Sequence, residues 1–489
     1  MCILQLDRER TNIMDIRKTN LPDWSALIPV LPEAGTRAGA LYDALRRLIE
    51  TGGVPSGTKL PPTRDLMRRL KLSRAAAVAA YERLTAEGFT EARVGDGTYV
   101  AAAVPRMGEG QADMPKRALL PVRDRGPLAL GVATPDPVTF AQFRKLLAQD
   151  LARPPLHLFN YGDPRGGVEL RQAIADYLST ARGVRCSAEE IIVTAGTQQG
   201  LDLVLRAATS PGETVLVEDP CYPSALAAVR QAGGVAMGVP VDEHGMDPER
   251  IPAAGEAAKA VYITPSHQFP LGVTMTMRRR LALIERARAS GAILIEDDYD
   301  SEFRYAGPPL AALQGMDDSG TVAYLGTFSK VLFPGLRTGY AVLPERIFER
   351  VIALRKTSDR QPPGLAERAL ARLISEGHFA RHIKRARRRA EAARDHLVYE
   401  LQAACGARIR LAPPEQGLHL VVRFATDDPQ RATALEATCA RETGLRPLSP
   451  MYLAGPRDYG LVLGFSGFAE EDFRKAAQAL GRALDAYSP

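Results

Sequence analysis

From about residue 127 onward, short apolar runs alternate with helical segments, and this alternation restricts the possible folds more than any other feature of the chain. The runs are 191–194, 214–217, 260–263, 292–295 and 322–325, with helical stretches such as 200–208 and 277–289 between several of them. Strands that stay apolar at successive positions are buried on both faces. Strand–helix repetition of this kind predicts a mostly parallel sheet covered by helices. Ligands of such sheets bind beyond the carboxyl ends of the strands. The chemically suggestive segments of this half of the chain stand at those ends.

The run 292–295 passes into Glu296-Asp297-Asp298-Tyr299. If the strand continues, Asp297 and Tyr299, two residues apart, project from one face. Lys330 closes Gly326-Thr327-Phe328-Ser329-Lys330, and Arg337 follows in Pro334-Gly335-Leu336-Arg337-Thr338-Gly339-Tyr340. Ala195-Gly196-Thr197-Gln198 leaves one strand and opens a helix, where backbone N–H groups suit a phosphate. Tyr222, after Glu218-Asp219-Pro220-Cys221, suits either stacking on a flat ring or ordinary core packing. Taken singly, the glycine turn and the strand-end carboxylates also have purely structural readings. Together they are equipment for pyridoxal 5'-phosphate (PLP). Lys330 would form the Schiff base, and Asp297 would keep the ring nitrogen protonated. Tyr299 would reach the ring hydroxyl. Arg337 and the hydroxyls of Thr327 and Ser329 would bind the phosphate dianion through charge-assisted bonds.

Residues 37–103 have a different grammar. Leu41, Ala44, Leu45, Leu48 and Ile49 mark one face of a helix. Thr63 is expected to cap a second helix, with Leu66, Met67 and Leu70 inward, and Ser73 a third, with Ala77, Val78, Tyr81 and Leu84 inward. Two short strands then flank Gly95-Asp96-Gly97, a hairpin with a Gly/Asp turn. The segment carries 11 Lys/Arg against 7 Asp/Glu, a net +4. From about Ala101 to Gly126 prolines and glycines interrupt every period, which reads as a mobile tether. The expected organisation is an N-terminal extension (1–36), a small α+β domain (37–103), a linker (104–126) and a large α/β domain (127–489).

Composition narrows the class. No run of ~18 apolar residues predicts a membrane span, and the N-terminus lacks the apolar core of a signal peptide. A cytoplasmic protein is expected. The five cysteines (Cys2, Cys186, Cys221, Cys405 and Cys439) are scattered without a CxxC, so neither a metal site nor disulfides are expected. The net charge of +6 is weak evidence for nucleic acid by itself. A second basic run, Arg381 to Arg389, holds six Lys/Arg in nine positions and reads as a solvated helix face or a secondary DNA contact.

The motifs of 37–103 resemble the winged helix-turn-helix of GntR-type regulators. They are Leu60-Pro61-Pro62-Thr63-Arg64-Asp65-Leu66, Leu72-Ser73-Arg74, the segment 81–89 (YERLTAEGF), and Gly95-Asp96-Gly97-Thr98-Tyr99-Val100. The resemblance implies DNA contacts at Thr63, Arg64, Ser73 and Arg74, with Gly95, Gly97 and Thr98 in the wing. Residues 127–489 resemble fold-type I aminotransferases. That likeness implies that Lys330 is the Schiff-base lysine, Asp297 the pyridine partner and Tyr222 the stacking ring. It also implies that Gly196, Thr197, Gln198, Ser329 and Arg337 hold phosphate. Tyr161, in Asn160-Tyr161-Gly162-Asp163-Pro164-Arg165-Gly166, matches a tyrosine that reaches the neighbouring subunit's cofactor, which implies a homodimer.

The whole arrangement is similar to the MocR-type regulators of the GntR superfamily, with IEDDYDSEFRY (295–305), TPSHQFPL (264–271) and GTFSK (326–330) close to their signatures. This resemblance implies a regulator of double-stranded promoter DNA. Its partner would be a small-molecule effector, PLP alone or with an amino compound, and its targets vitamin B6 or amino-acid genes. The alternatives are a working aminotransferase with an appended DNA-binding domain, and a PLP-binding scaffold with neither role.

Three departures bear on this. After Ser73-Arg74 stand Ala75-Ala76-Ala77, which offer no side-chain hydrogen bonds to bases. Phe269 replaces the asparagine that aminotransferases use against the ring hydroxyl, leaving His267 or Gln268 to serve. Val462 occupies the position of the arginine that clamps a substrate carboxylate, with Arg446 as a substitute. Loss of that clamp favours sensing over turnover.

Overall fold

The structure, a computed structural model, describes residues 36–104, 126–133, 136–255, 257–307, 310–454 and 457–487. The chain divides into two compact units, Met1–Arg123 and Asp124–Pro489. The expected N-terminal extension and linker lie almost wholly outside the described residues.

The first unit consists of α1 (Arg37–Glu50), α2 (Thr63–Leu70), α3 (Arg74–Ala86) and an antiparallel hairpin of β1 (Thr90–Arg93) and β2 (Gly97–Val100). Leu41, Leu45 and Ile49 form the buried stripe that their spacing predicts. They join Leu66, Tyr81, Leu84, Phe89 and Val100 in a single core. Ser73 caps α3, its Oγ accepting from Ala76 N at 3.2 Å. Thr63 does not cap α2. It is the first helical residue, and Pro62 occupies the cap position without a side-chain bond. Proline has no side-chain acceptor, so the chain enters this helix on backbone geometry alone: Asp65 N donates to Pro62 O at 2.9 Å.

The second unit runs through α4 (Pro137–Ala152), α5 (Val168–Arg182), β3 (Ile191–Thr194), α6 (Thr197–Ala208), β4 (Thr214–Asp219) and α7 (Pro223–Gln231). It continues with β5 (Val235–Asp242), β6 (Gly245–Met246), β7 (Ala260–Ile263), α8 (Met277–Ser290), β8 (Ile293–Asp298), β9 (Val322–Thr327) and β10 (Gly339–Val342). It ends with α9 (Glu345–Ser358), α10 (Glu367–Ser375), α11 (His378–Cys405), β11 (Ile409–Arg410), β12 (His419–Phe424), α12 (Pro429–Thr443), β13 (Arg446–Pro447), β14 (Gly460–Gly464) and α13 (Glu470–Ala486).

Eight strands form one sheet in the order β3-β10-β9-β8-β7-β4-β5-β6. β4, β5, β7, β8 and β9 pair in parallel, while β10 is antiparallel to both neighbours. Alternate residues feed opposite cores. Val215, Val217, Ala260, Tyr262, Ile293 and Ile295 pack with α6, α7 and α9, and Leu216, Val261 and Leu294 pack with α8. Helices on both faces are why these strands read as unbroken apolar runs. A second, antiparallel sheet has the order β11-β12-β14-β13.

The basic run on α11 is partly spent inside this unit. Arg385 and Arg389 close on the buried Asp136 at 2.6 and 3.0 Å, and Arg387 donates to Glu302 O at 2.8 Å. These side chains tie α11 to neighbouring segments, while Arg381, Lys384 and Arg388 remain exposed.

Candidate functional site

The carboxyl ends of β7, β8 and β9, the start of α6 and two segments of the C-terminal sheet enclose a cavity of about 240 Å³. Gly196, Thr197, Gln198, Tyr222, Asp297, Tyr299, Thr327, Ser329, Lys330, Arg337 and Arg446 all line it. Parallel strands deliver the residues after β7, β8 and β9 to one edge, and Arg446 reaches the same cavity from the antiparallel sheet.

Asp297 is the last but one residue of β8 and is 7% exposed. Tyr262, from the neighbouring β7, donates its hydroxyl to Asp297 Oδ2 at 2.8 Å, while Oδ1 has no partner. Burial is the main cause that pushes this carboxyl up to about 7, despite the tyrosine bond. A carboxylate in this state is poised for a cationic partner. Ser329 Oγ is likewise buried without a partner. Lys330 follows β9, and a Cβ added to Gly131 would lie 2.4 Å from its Nζ, so that glycine leaves the amine its place. Gly196, with φ +93°, precedes α6, and an added Cβ there would meet the Arg337 guanidinium at 3.5 Å. Arg337 is anchored by a 2.7 Å bond from Nη2 to Ala195 O. A helix N-terminus and an arginine thus face one spot, which suits an anion. Tyr222 stands edge-on to Phe269, with ring centroids 5.2 Å apart.

Not every expected residue arrives. Gln268 is buried, and its amide is occupied: Nε2 donates to Pro220 O, after β4, at 2.9 Å, and Oε1 accepts from Leu271 N of its own loop at 3.0 Å. His267 is also buried, with Nδ1 3.0 Å from Asp300 Oδ2. Neither is among the residues lining the cavity, and His267 Nε2 is buried without a partner. Tyr299 donates its hydroxyl to His267 O at 2.9 Å. Tyr161 is 74% exposed, outside the cavity lining, with the Arg360 guanidinium 3.8 Å over its ring. Val462 is buried in an apolar cluster with Phe269, Val421, Leu448 and Met451. Arg446 is its cross-strand partner and does reach the cavity.

Tyr262, Gly131 and His419 were missed by the sequence reading, since no local motif marks them, and Asp300 was passed over although it lies within IEDDYDSEFRY. His267, Asp300 and His419 bring one potential ligand atom each within 4.8 Å of one another. Bonds from the imidazoles to Asp300 and Pro270 O already occupy one nitrogen on each ring.

The raised Asp297 carboxyl has a thermodynamic consequence. The unfolded chain loses this proton near pH 4, whereas the folded protein keeps it until about 7. Stability therefore falls as pH rises through that window and stays reduced above it. Glu218, Glu296 and Glu302, also pushed up to about 7 mainly by burial, act in the same direction. Comparison with Asp297→Asn isolates the one group. Without cofactor, that variant is expected to be more stable than the wild type above pH 7 and equal to it near pH 4, by urea denaturation. Equal stability at pH 8 would contradict the assignment.

In the first unit, Arg64 on α2 and Arg74 at the start of α3 are exposed and have no hydrogen-bond or ion-pair partner among the described residues. Tyr81 donates to Pro61 O at 2.7 Å and so fixes α3 against the start of α2. In the wing, Asp96 joins Lys59 Nζ at 2.8 Å and accepts from Tyr99 at 2.7 Å. Gly95 and Gly97 have φ of +77° and +120°, backbone that the tight turn requires. Thr98 is half-buried on β2.

A three-helix winged unit and an aminotransferase-like body with a lysine-bearing cavity define a two-part protein, a DNA reader joined to a small-molecule fold. Residues 37–100 match the model of the gntR family of bacterial regulatory proteins, and 139–446 match that of aminotransferase class I and II. The probable rhizopine catabolism regulatory protein MocR of Rhizobium meliloti is 33% identical, over 91% of this chain and 93% of its own. The pyridoxine biosynthesis regulator PdxR of Corynebacterium glutamicum is also 33% identical, over 89% and 93%. The kynurenine aminotransferase of Pyrococcus horikoshii superposes with a TM-score of 0.66 at 26% identity, over 74% of this chain and 91% of its own. The chain belongs to the MocR-type regulators of the GntR superfamily. Among the described residues, no helix is long and apolar enough to cross a membrane.

Proposed function

We propose that this protein is a cytoplasmic, PLP-responsive transcription regulator in which PLP bound at Lys330 modulates the grip of the winged unit on promoter DNA. The observation that carries this reading is the single cavity shared by Lys330, Asp297 and Arg337. The residues present fit PLP. Asp297 Oδ1 and Ser329 Oγ are buried atoms lacking partners, and Gly131 leaves the space where a Cβ would meet Lys330. Asp297 would face the ring nitrogen, and Arg337, Gly196, Thr197, Gln198, Thr327 and Ser329 would take the phosphate. Tyr222 would stack on the ring, and Tyr299 would reach the ring hydroxyl. Bound PLP supplies an aldehyde that captures primary amines, which makes it a sensor of amino compounds as well as a ligand in its own right. Incubation with PLP followed by desalting should leave about one equivalent of visible chromophore per chain. A colourless protein would overturn the reading.

Arg64, Arg74, Ser73, Thr63 and the wing residues Gly95, Gly97 and Thr98 are the proposed DNA contacts. Arg64→Ala should weaken operator binding by roughly 1–3 kcal/mol, read by anisotropy across a salt series, with the cofactor spectrum unchanged. Equal affinity at every salt concentration would remove Arg64 from the interface. The exposed apolar side chains Leu156, Phe159, Tyr161 and Leu365 support a homodimer, in which Tyr161 approaches the partner subunit's cofactor.

One observation favours a second reading, an active aminotransferase: Arg446 lines the cavity and would hold a substrate carboxylate. Sustained turnover with amino-acid and keto-acid pairs would support it. A single half-reaction or none supports the sensor.

A further inference from the structure

We infer that the recognition helix identifies its operator chiefly through thymine methyl groups, with Arg64 and Arg74 supplying the hydrogen bonds. The inference rests on the DNA-binding reading above. In a helix-turn-helix, residues at the start of the second helix meet base edges in the major groove. Here that helix is α3. Its solvent face carries Arg74, Ala75, Ala79 and Glu82, where 75, 79 and 82 recur at helical spacing on one face. Ala75 and Ala79 have no donor or acceptor, so the base-edge feature they can recognise is the apolar C5-methyl of thymine.

Some other polar groups of the reader are tied up within it, while Arg69, Lys71 and Glu82 stay exposed. Ser73 Oγ accepts from Ala76 N, and Arg83 closes on Glu87 at 2.8 Å. Asp96 holds Lys59 and Tyr99 within the wing. The wing tip presents Val94, whose side chain is fully exposed and also apolar. Small alanines matter for a second reason. They let the α3 backbone approach the groove floor, which a longer side chain would hold off. The surface therefore fits a duplex with thymines opposite Ala75 and Ala79, and guanines within reach of Arg64 and Arg74.

The test is an in vitro selection from random duplexes with the full-length protein, followed by replacement of single thymines in the selected half-site with uracil. Uracil keeps base pairing and removes only the methyl, so the protein is untouched and no variant has to fold. Each contacted methyl should be worth about fourfold in affinity, the value of one buried methylene. Uracil elsewhere in the duplex should have no effect. Selection with Ala75→Asn should exchange one thymine for adenine, the base that asparagine pairs in bidentate fashion. A tightly bound operator indifferent to every uracil substitution would overturn this inference and leave the DNA-binding reading standing. A selection that enriches no sequence would overturn both.

Discussion

Lys330→Ala is expected to abolish retained chromophore completely and, with it, any effect of PLP on DNA affinity. The amine is the cavity group that can capture an aldehyde covalently, and Gly131 is shaped around it. The fold should survive. Lys330 is only half-buried and lies outside the apolar cores, so truncation should leave the fold intact. The check is the absorbance spectrum after desalting, with thermal unfolding alongside. A folded Lys330→Ala protein that still retained a lysine-type spectrum would show that another residue is the anchor.

The largest stability effect is expected at Arg182, which the sequence reading passed over. Its Nε donates to Asp298 Oδ2 at 2.8 Å, and both side chains are at most 5% exposed. Nη2 reaches Ser266 Oγ at 2.9 Å and Nη1 reaches Leu310 O. Asp298 also accepts from Tyr324, yet its Oδ1 has no partner. Arg182→Met keeps the stem but strands a buried carboxylate, which costs about 3–5 kcal/mol. Because Asp298 adjoins Asp297 at the end of β8, the loss should also weaken PLP retention. Urea denaturation measures the first effect and the retained chromophore the second. Adding Asp298→Asn should recover much of the stability, since it removes the uncompensated charge. A loss below 1 kcal/mol would mean that the pair contributes little to holding the strand end.

The parallel strands were legible because both faces of the sheet are covered. β3, β4, β7, β8 and β9 contain the runs read from the sequence, and the misjudged parts were their polar ends, such as Glu218-Asp219 and Gly326-Thr327. Those ends leave the apolar pattern because their polar groups serve neighbouring segments: Thr327 lines the cavity, Glu218 accepts from Thr264 and Asp219 from Leu453 N. β5 was not read as a strand, since Gly238 and Pro240 interrupt it and its positions are mostly half-exposed. β10 was hidden inside the segment read only for Arg337.

Residues that sit in contiguous motifs, Lys330, Asp297, Gly196 and Arg337, come together around one cavity. Tyr262 and His419 were not legible, because their roles come from the strands beside them and leave no local trace. His267 and Gln268 stand in the same motif yet outside the cavity lining, because a motif position does not fix where a side chain points. The same limit applies at Thr63, where composition suggested a cap and Pro62 holds the position.

The most direct test of the central claim is fluorescence anisotropy of the full-length protein on operator DNA, from upstream of its own gene or from the selection, titrated with and without PLP. The account predicts saturable, competitor-resistant binding whose midpoint moves by roughly 5–150-fold with PLP, the usual range for coupled sites. Lys330→Ala should bind the same DNA with no such shift. Specific binding identical with and without PLP, in a protein that demonstrably retains the cofactor, would contradict a PLP-responsive regulator.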